Sequence, residues 1–415
     1  MFILTFPFIF LSTIIKNSST ENILKTLPPS IQDEVNLTTP EIIAKYNYSS
    51  ESHNVVTEDG YILTLHRILP KKPYKGSVLV MHGILASSAD WIITGPQHGL
   101  GYLLSDEGYD VWLGNARGNR YSKNHTTLNP ESKKFWDFSW HEIGLYDVPA
   151  MIDHILEVTK QEKIFHIAHS QGTTTFYVMC SLRPEYNSKI RAHFSLAPVA
   201  FVSHMFSPIF HAIAAADVIV ENVAAFINLN EIMPEGGLVS TLGQEVCGLN
   251  TLTTILCSNT LFAICGFDCK QLNTTLLPLI LAHVPAGCST KQLLHYGQEI
   301  NSGIKLYEMM IVRKNTLLGH FRQYDYGFWT NLKRYHSLKP PDYDLSQITT
   351  PLYFFYSKND WISSAWDVGI FAKKLRSLKG KFLISYDSFN HMDYLFGIDA
   401  RKYVYNKIIS LMTRH

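Results

Sequence analysis

The chain has 415 residues, enough to bury a large core, and 36 Lys and Arg set against 35 Asp and Glu, with 17% charged residues in all. That balance excludes the electrostatic footprint of a nucleic-acid binder or of a protein drawn to anionic membranes. Hydrophobic residues make up 46%, within the globular range but leaning apolar, so function is sought in apolar or catalytic features.

Residues 1–15, MFILTFPFIFLSTII, are apolar apart from Thr5, Ser12 and Thr13, and the polar NSSTEN follows Lys16. The run has the length of a signal-peptide core and is short for a spanning helix, although no basic residue precedes it. A cleaved secretory signal over residues 1–20 is expected, with an uncleaved anchor as the alternative. No stable transmembrane segment is expected after cleavage. Asn-x-Ser/Thr triplets begin at Asn17, Asn36, Asn47, Asn124 and Asn273; the last four are the candidate glycosylation sites of a secreted chain.

From residue 77 short apolar runs alternate with helical patterns. Residues 77–81, 110–113, 163–167 and 190–196 read as buried strands, and 98–106 and 172–182 as helices. A further helical pattern spans 142–159, with Pro149 marking its true start. This rhythm predicts an α/β fold, a mostly parallel sheet with helices on both faces. It breaks after Pro198 and resumes with a strand at 351–355, a helix at 365–378, a strand at 381–384 and an amphipathic helix at 401–411. The expected organisation is a core from 37–200 and 328–415, interrupted by a helical insertion at 201–327. All six cysteines lie between Cys180 and Cys288. No Cys/His spacing suggests zinc, so they read as a local disulfide framework whose pairing spacing alone does not give.

The chemistry-bearing candidate is AHSQGTT at residues 168–174. A serine hydroxyl needs a base, a group that holds the base, and donors for the oxyanion. The stretch nearly matches the Gly-x-Ser-x-Gly elbow, in which a strand-turn-helix lifts Ser170 clear of the sheet. Ala168 stands at the first glycine position, and Gly172 satisfies the second. The Gln171 N–H opens the next helix, where the dipole favours negative charge. A second donor is expected from the loop HGILA at 82–86: its glycine permits the unusual turn, and Ile84 offers its N–H. His82 reads as structural. In this chain order the acid follows a late strand and the histidine comes last. Asp360 meets the first condition and His391 the second, both at carboxyl ends of predicted strands, where open α/β sheets place ligands. Asp342, Asp344 and Asp393 compete less well for the acid's place.

The stretches VVTEDGYIL (55–63), HGILAS (82–87), GYDVWLGNARGN (108–119), HSQGT (169–173), CGFD (265–268), Asn359-Asp360 and NHMD (390–393) together resemble the acid lipase family of α/β-hydrolases. The resemblance runs from about residue 37 to the end. It implies a triad of Ser170, Asp360 and His391, an oxyanion hole from the Ile84 and Gln171 amides, neutral lipid esters as substrates, no metal or organic cofactor, and a secreted or lysosomal location. It also implies a cap and lid in the insertion and a disulfide between Cys247 and Cys257, for which Cys265 competes; Cys269 and Cys288 are then expected to pair with each other. Two departures stand out. Ala168 replaces the family's glycine, and residues 304–320 have no counterpart, as either an extra cap segment or translated intron. The rival readings are a carboxylesterase on smaller esters and a non-catalytic lipid-binding protein on the same scaffold.

Overall fold

The computed structural model describes residues 33–215, 230–234, 251–309 and 319–415. The expected signal, Asn17 and Cys247 lie outside them.

The sheet strands are β1 (Ser50–Val56), β2 (Tyr61–Ile68), β3 (Gly76–Met81), β4 (Tyr109–Leu113), β5 (Asn124–His125), β6 (Ile164–His169) and β7 (Ile190–Leu196). A two-residue pair, β8 (Glu231–Ile232) and β9 (Cys288–Ser289), lies apart from it. The main sheet is completed by β10 (Leu352–Tyr356) and β11 (Leu378–Leu383) in the order β1-β2-β4-β3-β6-β7-β10-β11, with β5 on β2. From β4 to β11 every pairing is parallel. β1 and β2 are antiparallel to each other, and β2 to β4. This antiparallel end escapes the expectation of strands beginning at residue 77. β1 reads SESHNVV and is half exposed, so it lacks the continuous apolar run of a buried strand.

Two apolar layers cover the sheet, and the period of two along β3 sorts its side chains between them. Leu79 and Met81 enter one cluster with Ala168 and Phe176, while Val78 and Val80 enter the other with Phe165 and Ile167. The first layer is supplied by α2 (Val148–Thr159) and α3 (Gln171–Leu182), and the second by α1 (Leu100–Asp106) and the last helix, Asn406–Met412. Full burial of each large aliphatic side chain contributes about 1.5–3 kcal/mol. Pro149 occupies the first turn of α2, where its missing N–H has no intrahelical acceptor to lose. The helix expected to reach residue 378 ends at Lys374, and the strand expected at 381–384 begins earlier, at Leu378, as the partly exposed β11.

Between β7 and β10 the described chain forms α4 (Pro208–Ala215), α5 (Thr251–Cys265), α6 (Leu277–His283), α7 (Thr290–Met309) and α8 (Phe328–Tyr335). α7 packs on α4 and on the core: the His295 ring stacks on Trp140 with centroids 3.6 Å apart. Ser302 Oγ accepts from His320 N at 3.0 Å. The ends of the segment without counterpart therefore meet. Among the described residues no helix is long and apolar enough to cross a membrane.

The cysteine expectation needs correcting. Cys265, Cys269 and Cys288 are all free thiols, so Cys269 and Cys288 do not pair. Cys288 is buried in β9 while Cys269 is exposed on the turn after α5, and sequence proximity carries no information on that separation.

Candidate active site

β6 ends at His169, and Ser170 then takes φ +52° and ψ −122° before α3 begins at Gln171. A side-chain-bearing residue at positive φ is strained and persists only where its surroundings hold it. Here Ser170 N donates to Leu196 O at 3.0 Å, and Thr173 Oγ1 donates to Ser170 O. Two glycines let the turn close. A Cβ on Gly172 would lie 2.7 Å from His82 O, and one on Gly83 would lie 3.1 Å from the Ser170 Cβ. Ala168 pairs with Met81 across β6 and β3, and its methyl is fully buried in the first core layer. The elbow therefore tolerates alanine there.

The loops after β10 and β11 bring the other two side chains to this serine. Ser170 Oγ stands 2.8 Å from His391 Nε2, and His391 Nδ1 is 2.9 Å from both carboxylate oxygens of Asp360. Nδ1–H thus donates to the carboxylate, leaving Nε2 to accept from the hydroxyl. Asp360 Oδ1 also accepts from Ile362 N at 2.9 Å and Ser363 N at 2.7 Å, which fixes the orientation of the carboxylate. All three side chains are buried. His169 donates from Nε2 to His391 O at 2.9 Å and packs its ring 4.7 Å from the His391 ring. Burial, and then the neighbouring His391, hold His169 well below the usual histidine range. It is a neutral brace.

The competing acids go elsewhere. Asp342 pairs with His320 at 3.0 Å on the surface, and Asp344 accepts from Ser346 N. Asp393 is buried but accepts from Asn390 N at 2.6 Å instead of facing the imidazole.

His82 is structural. Its Nδ1 donates to Gly83 O at 2.7 Å and its Nε2 accepts from Ala116 N at 3.1 Å, while burial lowers its pKa to about 4. The expected role of the loop glycine changes in detail. The positive φ falls on Leu85, at +60°, and not on Gly83. Gly83 is required because a side chain there would press on Ser170, whereas Leu85 is held by Ala286 N donating to its carbonyl at 2.7 Å.

Sequence reasoning passed over several groups that complete the site. Gln171 Nε2 donates to Gln292 Oε1 at 2.6 Å and Thr174 Oγ1 lies 3.0 Å from Tyr296 Oη, so α7 is tied to the elbow helix. Asn390 and Asp268 link the histidine loop to the turn after α5. Their only signal was membership in the NHMD and CGFD stretches.

A sheet of this order, with a strained serine between strand and helix and a histidine and carboxylate following on later loops, defines an α/β-hydrolase. The family model for the alpha/beta hydrolase fold matches residues 76–230, and that for a partial alpha/beta-hydrolase lipase region matches residues 39–95. Lipase 1 of Drosophila melanogaster is 41% identical over 383 residues, covering 92% of this chain and 81% of the relative. Gastric triacylglycerol lipase of Mus musculus is 37% identical, covering 91% of this chain and 92% of its own. Lysosomal acid lipase/cholesteryl ester hydrolase of Macaca fascicularis is 33% identical and covers 93% of each. A solved soluble variant of monoglyceride lipase from Saccharomyces cerevisiae shares the fold at TM-score 0.53 and 14% identity, covering 92% of this chain and 96% of its own. The chain belongs to the acid lipase family of α/β-hydrolases. It is a serine ester hydrolase.

Proposed function

We propose that this protein hydrolyses neutral lipid esters of the triacylglycerol or cholesteryl ester type through an acyl-enzyme on Ser170. The observation that carries the reading is the continuous relay from Ser170 Oγ through His391 to Asp360. His391 Nε2 takes the hydroxyl proton as Oγ attacks the ester carbonyl, and Asp360 holds the imidazole and stabilises it once charged. The tetrahedral oxyanion is received by the Ile84 and Gln171 N–H groups, the latter being the first amide of α3 and so without an intrahelical acceptor. The histidine then protonates the leaving alcohol. Water activated by the same nitrogen releases the acid.

Lipid as the substrate class is supported by relatives named for triacylglycerol and cholesteryl esters and by an apolar surface next to the triad. Phe206, Ile255 and Phe267 are 64%, 54% and 52% exposed. Phe206 N donates to Trp361 O, and the Phe267 ring packs 5.5 Å from Trp361, the residue after Asp360. Exposed aromatics of this kind suit contact with a lipid–water interface. Residues 201–327 serve as the cap and lid. The protein is secreted or lysosomal, with its signal in residues 1–20. Asn36, Asn47, Asn124 and Asn273, all exposed, carry glycans. Cys247 and Cys257 form the family disulfide; Cys257 is absent from the free thiols.

Fluorophosphonate labelling with peptide mapping tests the nucleophile: the probe is expected on Ser170 and lost in Ser170→Ala, and an unlabelled wild-type enzyme would sink the reading. Turnover of emulsified long-chain against dissolved short-chain esters tests the substrate. Preference for the dissolved ester would favour a carboxylesterase.

A further inference from the structure

The turn that follows α5, residues 265–268, is fastened to both loops that carry the triad. Cys265 O accepts from His391 N and from Trp361 N, each at 3.3 Å. Asn390 Nδ2 donates to Gly266 O at 3.0 Å, and Asn359 Nδ2 donates to Phe267 O at 2.9 Å. Gly266 has φ +110°, and a Cβ there would collide with Asn359 O. No side chain fits.

At the end of this turn Asp268 Oδ1 accepts from Lys270 N at 2.9 Å, Gln271 N at 3.3 Å and Tyr386 Oη at 3.2 Å. Its other oxygen, Oδ2, is buried and receives no N–H or hydroxyl donor. The carboxyl that faces Asp268 is that of Asp393, whose Oδ2 accepts from Asn390 N at 2.6 Å. Two buried carboxyls share a hydrogen bond only while one of them keeps its proton.

We propose that one proton held between Asp393 and Asp268 clasps the histidine loop to the turn after α5, positions His391, and sets an alkaline limit on turnover when it is lost. This rests on Ser170, His391 and Asp360 being the catalytic groups. The pair acts through His391 and touches no reacting atom. Burial, then Asp268 and Asp360, push the Asp393 carboxyl up to about 8. The other titratable groups around it are Cys265, His391, Tyr386 and Tyr394. Cys265 and Tyr394 are themselves raised, burial being the main cause, and so add no charge near neutral pH. Below the limit the pair carries one negative charge. Above it a second appears beside Asp360, the clasp opens, and the bonds from His391 N and Asn390 Nδ2 to the turn lose their support.

The test is kcat/KM on a dissolved short-chain ester from about pH 4 to about pH 10. It compares wild type, Asp393→Asn, Asp268→Asn and Asp268→Ala. An amide at either position donates the missing hydrogen bond without a titrating proton, so both Asn variants should move the alkaline limb up by about one pH unit or more. Asp268→Ala should lose about tenfold at every pH, with recovery in Asp268→Asn. A merely structural pair would lower activity without moving the limb, and Asn variants with the wild-type limb would overturn the proposal. Should the variants fold poorly, the infrared carbonyl band of a protonated acid near neutral pH provides a second reading. It is expected in wild type and diminished in Asp268→Asn, and identical bands would also overturn the proposal. A wild-type enzyme that neither turns over esters nor labels at Ser170 breaks the catalytic reading itself, whereas an active enzyme with an unmoved limb breaks only this inference.

Discussion

Two buried ionic knots hold the loops at the carboxyl edge of the sheet, and they are built on opposite plans. In the loop after β4, Arg117 is fully buried; its guanidinium bonds Asp59 at 2.6 and 2.8 Å and Asp147 at 2.7 Å, and lies over the Tyr61 ring. In the histidine loop, Asp393 meets Asp268 with Asp360 close by. The first knot is closed by a cation that cannot be deprotonated in a protein. The second is closed by a proton, so it is the part of the molecule that reads pH. Loop geometry alone does not distinguish the two, because each ties carboxylates from separate parts of the chain together.

The largest effect should fall on the triad carboxylate. Asp360→Asn keeps the packing but offers an amide to Nδ1, favouring the wrong tautomer, and kcat is expected to drop by about 10⁴-fold with an unchanged circular dichroism spectrum. A drop of less than tenfold would give the acid's role to another residue. Arg117→Leu should cost about 3–5 kcal/mol in urea unfolding, because it leaves Asp147 buried, and Asp59 half-buried, without their cation. If that loss is small, the first knot is not held by its charge.

The proton-held knot makes a different demand. Asp393 is raised from its ordinary 3.8 to about 8, so the native state keeps a proton that the unfolded chain gives up. Its contribution is whole below about pH 4 and is lost as pH rises through about 8. Above the range where the buried histidines titrate, from about pH 7 to about pH 9, melting temperature should fall, and Asp393→Asn should flatten the slope in part. The remainder there belongs to Asp90, which burial also raises to about 8, and to Glu299, which burial raises well above its ordinary value. An unflattened slope would remove the contrast between the knots. The smallest effects concern the elbow. Gly172→Ala, which presses on the His82 and Met81 carbonyls, should cost about 1–3 kcal/mol. Ala168→Gly should cost only about 0.5–1 kcal/mol with kcat little changed; both are read by thermal melts.

The elements that sequence reasoning reached share a cause. β3, β4, β6 and β7 are buried on both faces, so they appear as short, largely apolar runs. Ser170 stands at the end of β6, Asp360 after β10 and His391 after β11, in the chain order of an α/β-hydrolase. β1 and β11 were missed or misplaced because each exposes alternate residues and neighbours polar chain. The Asp268–Asp393 contact joins residues 125 positions apart through a proton, and neither pattern nor spacing encodes that. Cysteine crowding misled for the reverse reason: Cys269 and Cys288 are near in sequence but lie on an exposed turn and a buried strand.

The hydrogen bond from His320 N to Ser302 Oγ has a consequence for how such a chain changes over generations. Loop-closure entropy grows slowly with length, so material added where the two ends already touch strains little of the surrounding structure. The junction behaves as a port, at which a change of length between its two ends need not disturb the serine, the carboxylate or the histidine.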